Sequence, residues 1–297
     1  MGAVVRRTVA ITTAAVIFLI LVGTTYQGVA TALERRRYPH PGGMVKAGRH
    51  QLHLYCTGDG KPTVVLEAPA TAMSAAWGWV QPAIAEETRV CSYDRAGLGW
   101  SEWGTIEFDP RAVPEQLHTL LANAGEPGPY VLVGQGFGAA LARLTTARYP
   151  AEVAALLLLD APGTVAESAQ LTQMARMATV SPWLARTGIL RVSRRLSGDA
   201  PALPAPSAGA LETFLMRPDH LTRAGRELAK WNETISLAEA ADVPASVPVV
   251  TLEISGQQRN AMLTNRDDAG KATRAILGAV HDYRQKYRAS PSPAPAP

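Results

Sequence analysis

Apolar residues recur along this chain in two distinct rhythms. From Val9 to Val22 they form a nearly unbroken run behind Arg6-Arg7, and no charge follows until Glu34. A stretch of that length, over residues 8–32, predicts a helix able to span a hydrocarbon core of about 30 Å. Further on, short apolar or alternating runs at 51–56, 63–67, 89–93, 130–133, 154–159 and 249–254 are bounded by Gly, Pro and Asp. They alternate with helical stretches at 77–87, 112–124 and 137–149, and residues 268–287 read as a closing helix. This is the pattern of an α/β fold, a mostly parallel sheet with helices on both faces.

Where the rhythm breaks, the organisation shows. Tyr38-Pro39-His40-Pro41-Gly42-Gly43 is a turn-rich hinge after the first helix. Residues 165–245 are helical and loop-rich, interrupted by Ser197-Gly198-Asp199-Ala200-Pro201 and Pro204-Ala205-Pro206-Ser207. The end, Ser290 to Pro297, is a polyproline-like disordered tail. The chain therefore divides into an N-terminal segment at 1–37, an α/β domain at 38–164 and 246–288 split by a helical segment at 165–245, and a tail at 289–297.

With 297 residues, 47% of them apolar, there is ample material for one α/β domain with a sizeable core. The net charge of +4 comes largely from arginines at 6–7, 35–37 and 191–195. No basic stripe is interleaved with aromatics, so nucleic acid is not an expected partner. The N-terminal run reads as a signal anchor with the domain outside the cytoplasm, a single-pass protein of the cell membrane. Ala30-Thr31-Ala32 also fits a cleavage site, which leaves removal of the segment as the alternative. Arg35-Arg36-Arg37 on the far flank weakens any orientation argument from charge. No Cys or His pair has metal-ligand spacing, and no cofactor or metal is expected.

Gly134-Gln135-Gly136-Phe137-Gly138 follows the strand at 130–133 and opens a helix. It has the build of a G-x-S-x-G nucleophile elbow, but its centre is glycine. Before it, in order, come Arg49-His50-Gln51-Leu52-His53-Leu54-Tyr55-Cys56-Thr57-Gly58, Pro62-Thr63-Val64-Val65-Leu66-Glu67-Ala68, and Arg89-Val90-Cys91-Ser92-Tyr93-Asp94-Arg95-Ala96-Gly97-Leu98-Gly99-Trp100-Ser101. Together these resemble the α/β-hydrolase superfamily, in particular a membrane-anchored bacterial subgroup, densely from Tyr38 to about Asp160. The resemblance is specific for the fold and says little of any substrate. It implies that 165–245 is a cap over the active-site mouth, where Met174, Met177, Trp183, Leu184 and Leu190 line a pocket or pack the cap down. It also implies that Cys56 and Cys91 lie on neighbouring strands, either as a disulfide in an oxidising compartment or as two buried thiols.

The same resemblance lets the catalytic parts be checked in turn. A hydrolase of this fold needs a nucleophile, an oxyanion hole, a histidine base and an orienting acid. Gly136 has no side chain that can form an acyl intermediate. The oxyanion donors would be the N–H of Phe137 and one from the loop after Ala68, which here reads Pro69-Ala70-Thr71-Ala72-Met73-Ser74 instead of a glycine-rich run. Pro69 has no amide hydrogen, so Ala70 is the remaining candidate. Between Ser255 and Asp268 no histidine stands where a base belongs; His53, His118 and His281 read as structural or solvated. Asp160, Asp267 and Asp268 are candidate acids whose plainer roles are caps.

Three departures within one reaction constellation lead to the expectation of a pseudoenzyme. It would bind a small apolar ligand or a protein partner, with Ala70, Gln135, Gly136 and Phe137 as the ligand-binding set and no intact catalytic residue. The alternative is an active serine hydrolase acting on ester bonds. It would use Ser74, Ser92 or Ser101 as a non-standard nucleophile and His53, His118 or His220 as base.

Overall fold

The computed structural model describes residues 2–103, 107–162, 179–193, 198, 200–254 and 263–289. Seven strands form one sheet: β1 (Gly43–Ala47), β2 (His50–Thr57), β3 (Thr63–Glu67), β4 (Val90–Tyr93), β5 (Tyr130–Gln135), β6 (Val153–Leu159) and β7 (Val249–Leu252). They are ordered β1-β2-β4-β3-β5-β6-β7. β1 and β2 run antiparallel to their neighbours, and β4 to β7 pair in parallel. β1 lies outside the expected strands: the chain leaving the hinge pairs as a hairpin with β2, turning at Gly48, whose φ of 65° suits glycine.

Strand alternation sorts the core into two layers. Val65, Leu132 and Leu156 face Leu117, Leu120 and Ala142, whereas Val64, Leu66, Val131, Val133 and Leu157 face Trp77, Ile84, Ile276 and Val280. The first layer is covered by α3 (Val113–Asn123) and α4 (Phe137–Arg148), the second by α2 (Val80–Ala85) and α9 (Arg266–Ala289). The helix expected over 77–87 is instead a 3-10 turn, Ser74–Trp77, followed by the short α2. Pro82 explains the shift, because it is tolerated only in the first turn of a helix. Cys56 and Cys91 sit opposite each other in the β2–β4 register and are joined by a disulfide, with Cα atoms 4.0 Å apart.

After β6, the described part of the cap comprises helical residues 179–186, α5 (Ile189–Ser193), α6 (Ala205–Leu215), α7 (Pro218–Ala229) and α8 (Trp231–Ala240). Leu211, Phe214 and Leu215 of α6 pack on Met73 and Ala75, while Leu190 packs with Ala185, Met216 and Leu221. Of the residues expected to line a pocket or pack the cap, Leu190 does the packing and Leu184 joins it, but Trp183 is 69% exposed. Met174 and Met177 lie outside the described residues. The N-terminal helix α1 spans Gly2–Arg37, with mean hydropathy 2.1 in its most apolar stretch, long and apolar enough to cross a membrane. Ala30-Thr31-Ala32 lies within it.

Candidate functional site

The elbow is present as a backbone. Gly136 joins β5 to α4 with φ 54° and ψ −122°, a conformation that residues with a Cβ rarely adopt. Its N–H donates to Leu159 O at 2.9 Å, tying the turn to the end of β6. The flanking glycines serve packing. A Cβ on Gly134 would lie 2.3 Å from Gly138 O, and one on Gly138 would lie 2.5 Å from Ala68 O. Strand β5, helix α4 and the end of β3 can therefore approach this closely only with glycine at both places, whatever stands between them.

Apolar side chains gather around the residue that follows the elbow glycine. The Phe137 ring packs between Phe108 and Trp231 with centroids 5.9 Å and 5.3 Å away, and Ala70, Leu141 and Ile235 complete the cluster. The fold thus brings Ala70 and Phe137 together, beneath α8, while Gln135 and Gly136 are buried beside them at the end of β5. Among the described residues, these four stand apart from the lining of two cavities beside the cap. These cavities, of ≈ 440 Å³ and ≈ 280 Å³, lie on either side of Trp100 and share Tyr38 and Pro39.

The loop after β3 is clamped by buried charge. Arg95 donates to Glu67 at 2.6 Å, to the carbonyls of Ala68 at 2.7 Å and Pro69 at 3.0 Å, and to both oxygens of Glu227 on α7 at 2.7 and 2.8 Å. The Tyr93 hydroxyl donates to Glu67. Burial pushes the Glu67 carboxyl up, against the opposing pull of Arg95 and Tyr93. Burial works against the Arg95 charge as well, but Glu227 and Glu67 more than offset it and hold the guanidinium protonated. A buried ion cluster of this kind persists because every member is paired.

A second clamp comes from His220. Its Nε2 donates to Thr71 O at 2.8 Å, and its Nδ1 accepts the Gly99 N–H at 3.1 Å. Those two bonds fix the neutral tautomer, and burial holds its pKa below the ordinary histidine value. Thr71 sits at φ 64°, a left-handed conformation kept for a non-glycine residue by this clamp. The carbonyls of Ala68, Pro69 and Thr71 are thus all engaged by side chains from the turn after β4 and from the cap.

The other candidates are placed apart from the elbow. His53 is fully buried in β2, its Nδ1 3.1 Å from Asp94 Oδ2 and 3.4 Å from Ser74 Oγ. Burial would raise the Asp94 carboxyl; His53 and the N–H groups of Ser74 and Trp100 outweigh that and hold it below its usual range. His118 on α3 meets Glu152 at 3.0 Å and stacks on Tyr149, and His281 on α9 meets Glu87 at 2.8 Å. Ser92 donates to Gln81, and Ser101 donates to Asp94 O while accepting from His53 N. Asp160, at φ 48°, accepts the Ile254 N–H at 2.6 Å and so ties the ends of β6 and β7. Asp268 pairs with Lys271, and it is Asn265 that accepts the Asp267 N–H near the start of α9.

Sequence reasoning missed the two clamps. The signal for the first was available: a glutamate ending the apolar run 63–67 and an arginine in the turn after 89–93 are charges that burial must pair. Nothing local marks His220. Among the described residues, one group has metal-ligand proximity, Cys56, Cys91 and Glu126. Its sulfurs are spent in the disulfide, and Glu126 pairs with Arg89.

Residues 63–238 match the family described as alpha/beta hydrolase fold. Among curated proteins, an uncharacterized protein of Schizosaccharomyces pombe is 35% identical over 115 residues, 38% of this chain and 21% of that one. The 2-hydroxy-6-oxo-2,4-heptadienoate hydrolase of Pseudomonas putida is 31% identical over 125 residues, 41% of this chain and 45% of that one. The chain spans less than half the length of these curated relatives. Among solved structures, an esterase from Thermogutta terrifontis superposes with TM-score 0.59 and 16% identity over 81% of this chain and 97% of its own. A bacterial membrane phospholipase A superposes with TM-score 0.57 and 18% identity over 98% and 100%. At such identities the structural likeness concerns the fold.

Proposed function

We propose, from the premise that this chain belongs to the α/β-hydrolase fold family, that it is a membrane-tethered member in which the fold is kept and the hydrolytic reaction is not. It acts by binding a ligand or a protein partner. The observation that carries this reading is Gly136: the sharp turn of the elbow is retained with no side chain to attack a carbonyl. Support comes from the histidines. His220, which reaches the loop after β3, has both ring nitrogens engaged and is held neutral, so it has no lone pair to offer as a base.

The tether is α1, and the likeness to a membrane phospholipase A over nearly the whole chain accords with an anchored bacterial protein. The disulfide accords with a single-pass topology that leaves the domain outside the cytoplasm. Ala70, Gln135, Gly136 and Phe137 form the base of the binding site. Since α8 seals that base, a ligand reaches it by displacing Trp231 and Ile235, whereas a partner protein can engage the closed cap.

One observation favours the active alternative, the contact of Ser74, His53 and Asp94. Its geometry speaks against a relay. Both Ser74 Oγ and Asp94 Oδ2 address the same nitrogen, Nδ1, so a proton that Nδ1 donates to Asp94 leaves nothing there to accept from serine. The Nε2 atom of His53 is buried with no partner.

The reading is tested by the Gly136→Ser variant, assayed on short-chain p-nitrophenyl esters. Restoring the hydroxyl without a base is expected to leave turnover at the buffer rate. Esterase activity well above it would show that a base is in place and that the reading fails.

A further inference from the structure

Outside α1, large exposed apolar side chains gather on one stretch of the cap. Val180 is 49% exposed, Trp183 69%, Ile189 54% and Val192 75%, while Ala185 and Leu190 between them face inward onto Met216 and Leu221. Isolated exposed apolar residues need no account, but four in thirteen positions, Val180 to Val192, on the outer side of one segment form a patch.

This patch is held against the anchor. The backbone at Gly23 lies so close to Thr187 that a Cβ on Gly23 would fall 2.1 Å from Thr187 O. Arg191 donates to Gln27 Oε1 at 3.0 Å and to Glu34, and Gln27 Nε2 donates to Met216 O at 3.1 Å. Gln27 and Glu34 of α1 are thereby tied to the cap. Beneath this latch, Ile189 and Val192 share a cavity of ≈ 580 Å³ with Val16, Leu19, Ile20 and Val22 of α1. At about 1.5 Å of rise per residue, Val16 to Val22 covers about 9 Å of the helix axis. Those α1 residues belong to its most apolar run, so whatever medium surrounds them also surrounds Ile189 and Val192. Arg186 places its guanidinium 5.0 Å over the Trp183 ring, a pairing of aromatic body and charged tip suited to a headgroup boundary.

We propose that residues 179–193 are a second membrane contact, inserted beside α1 into the acyl region of the leaflet from which it emerges, with lipid as the occupant of this face. The inference rests on the reading of α1 as a membrane anchor. It makes the cap, and not only the N-terminus, part of the membrane-bound surface, and it fixes the cap's position relative to the bilayer through Arg191.

The full chain is reconstituted in vesicles of phosphatidylcholine and phosphatidylglycerol carrying brominated acyl chains. Tryptophan quenching is then compared for the unaltered chain, Trp183→Phe, and an Ile189→Asp/Val192→Asp double variant whose two positions lie outside the core. Retention through an alkaline wash reports α1 separately. The expected result is retention of all three proteins, loss of most of the lipid-dependent quenching in Trp183→Phe, and a clear reduction in the double variant. Equal quenching with and without Trp183 in retained protein overturns the membrane contact and leaves the anchor standing. Absence of bromolipid quenching, with Trp183 shielded only at high protein-to-lipid ratio, overturns it in favour of a second copy of the chain. Release of the unaltered chain by the wash overturns the anchor reading, and the contact with it.

Discussion

At Gly136 the backbone conformation itself disfavours a side chain, and strain of this kind amounts to about 1–3 kcal/mol for a residue with a Cβ. Gly136→Ser is therefore expected to lower unfolding stability by about that amount in a denaturant titration. An increase in stability would mean that the turn is more relaxed than φ 54° implies. His220 makes a pH-dependent contribution whose sign follows from burial. Its pKa in the folded chain is below the ordinary 6.5, so its stabilising effect is complete above that value and is lost as pH falls through it. The groups acting on it are Thr71 O, Gly99 N–H, Asp219, Arg217 and Asp94. Stability is expected to decline as pH falls below the ordinary histidine value of 6.5, and His220→Gln should flatten that decline. Unfolding midpoints across this range check it. Glu227 offers a sharper case. Removing it leaves the buried Arg95 short of a partner, and Glu227→Ala is expected to destabilise by about 3–5 kcal/mol, far more than a surface glutamate.

Between β2 and β4 the disulfide closes a sequence separation of 35 residues, and the chain-entropy relation assigns such a loop roughly 3–4 kcal/mol. The Cys56→Ala/Cys91→Ala variant should lose about that much stability by chemical denaturation, with the sheet intact by circular dichroism. Much at this scale was legible in the chain. The central strands carry four or more consecutive apolar or β-branched residues between Gly, Pro and Asp, so 63–67, 130–133 and 154–159 could be placed to within about two residues. β1 escaped because Gly43-Met44-Val45-Lys46-Ala47 has little alternation and gains its order from pairing with β2. The missing nucleophile was legible because the motif around it is fixed in spacing. The packing of Trp231 and Ile235 on Phe137 was not, because those residues lie about ninety-five positions away and only tertiary packing brings them together.

For the molecule as a whole, the cap joins three things that the sequence presents separately. It covers the elbow through α8, clamps the loop after β3 through His220 and Glu227, and grips α1 through Arg191. Buried ion pairs and ring packing hold the described part of this region against the α/β domain. That arrangement accords with the proposed role of a domain kept folded at a membrane for binding. The most direct test is fluorophosphonate labelling of the full chain in detergent, beside an active esterase of the same fold, with labelled peptides mapped by mass spectrometry. The account predicts no label on any serine under conditions that label the esterase to completion. A stoichiometric label on a single serine, Ser74 above all, would contradict it and show that a nucleophile works away from the elbow.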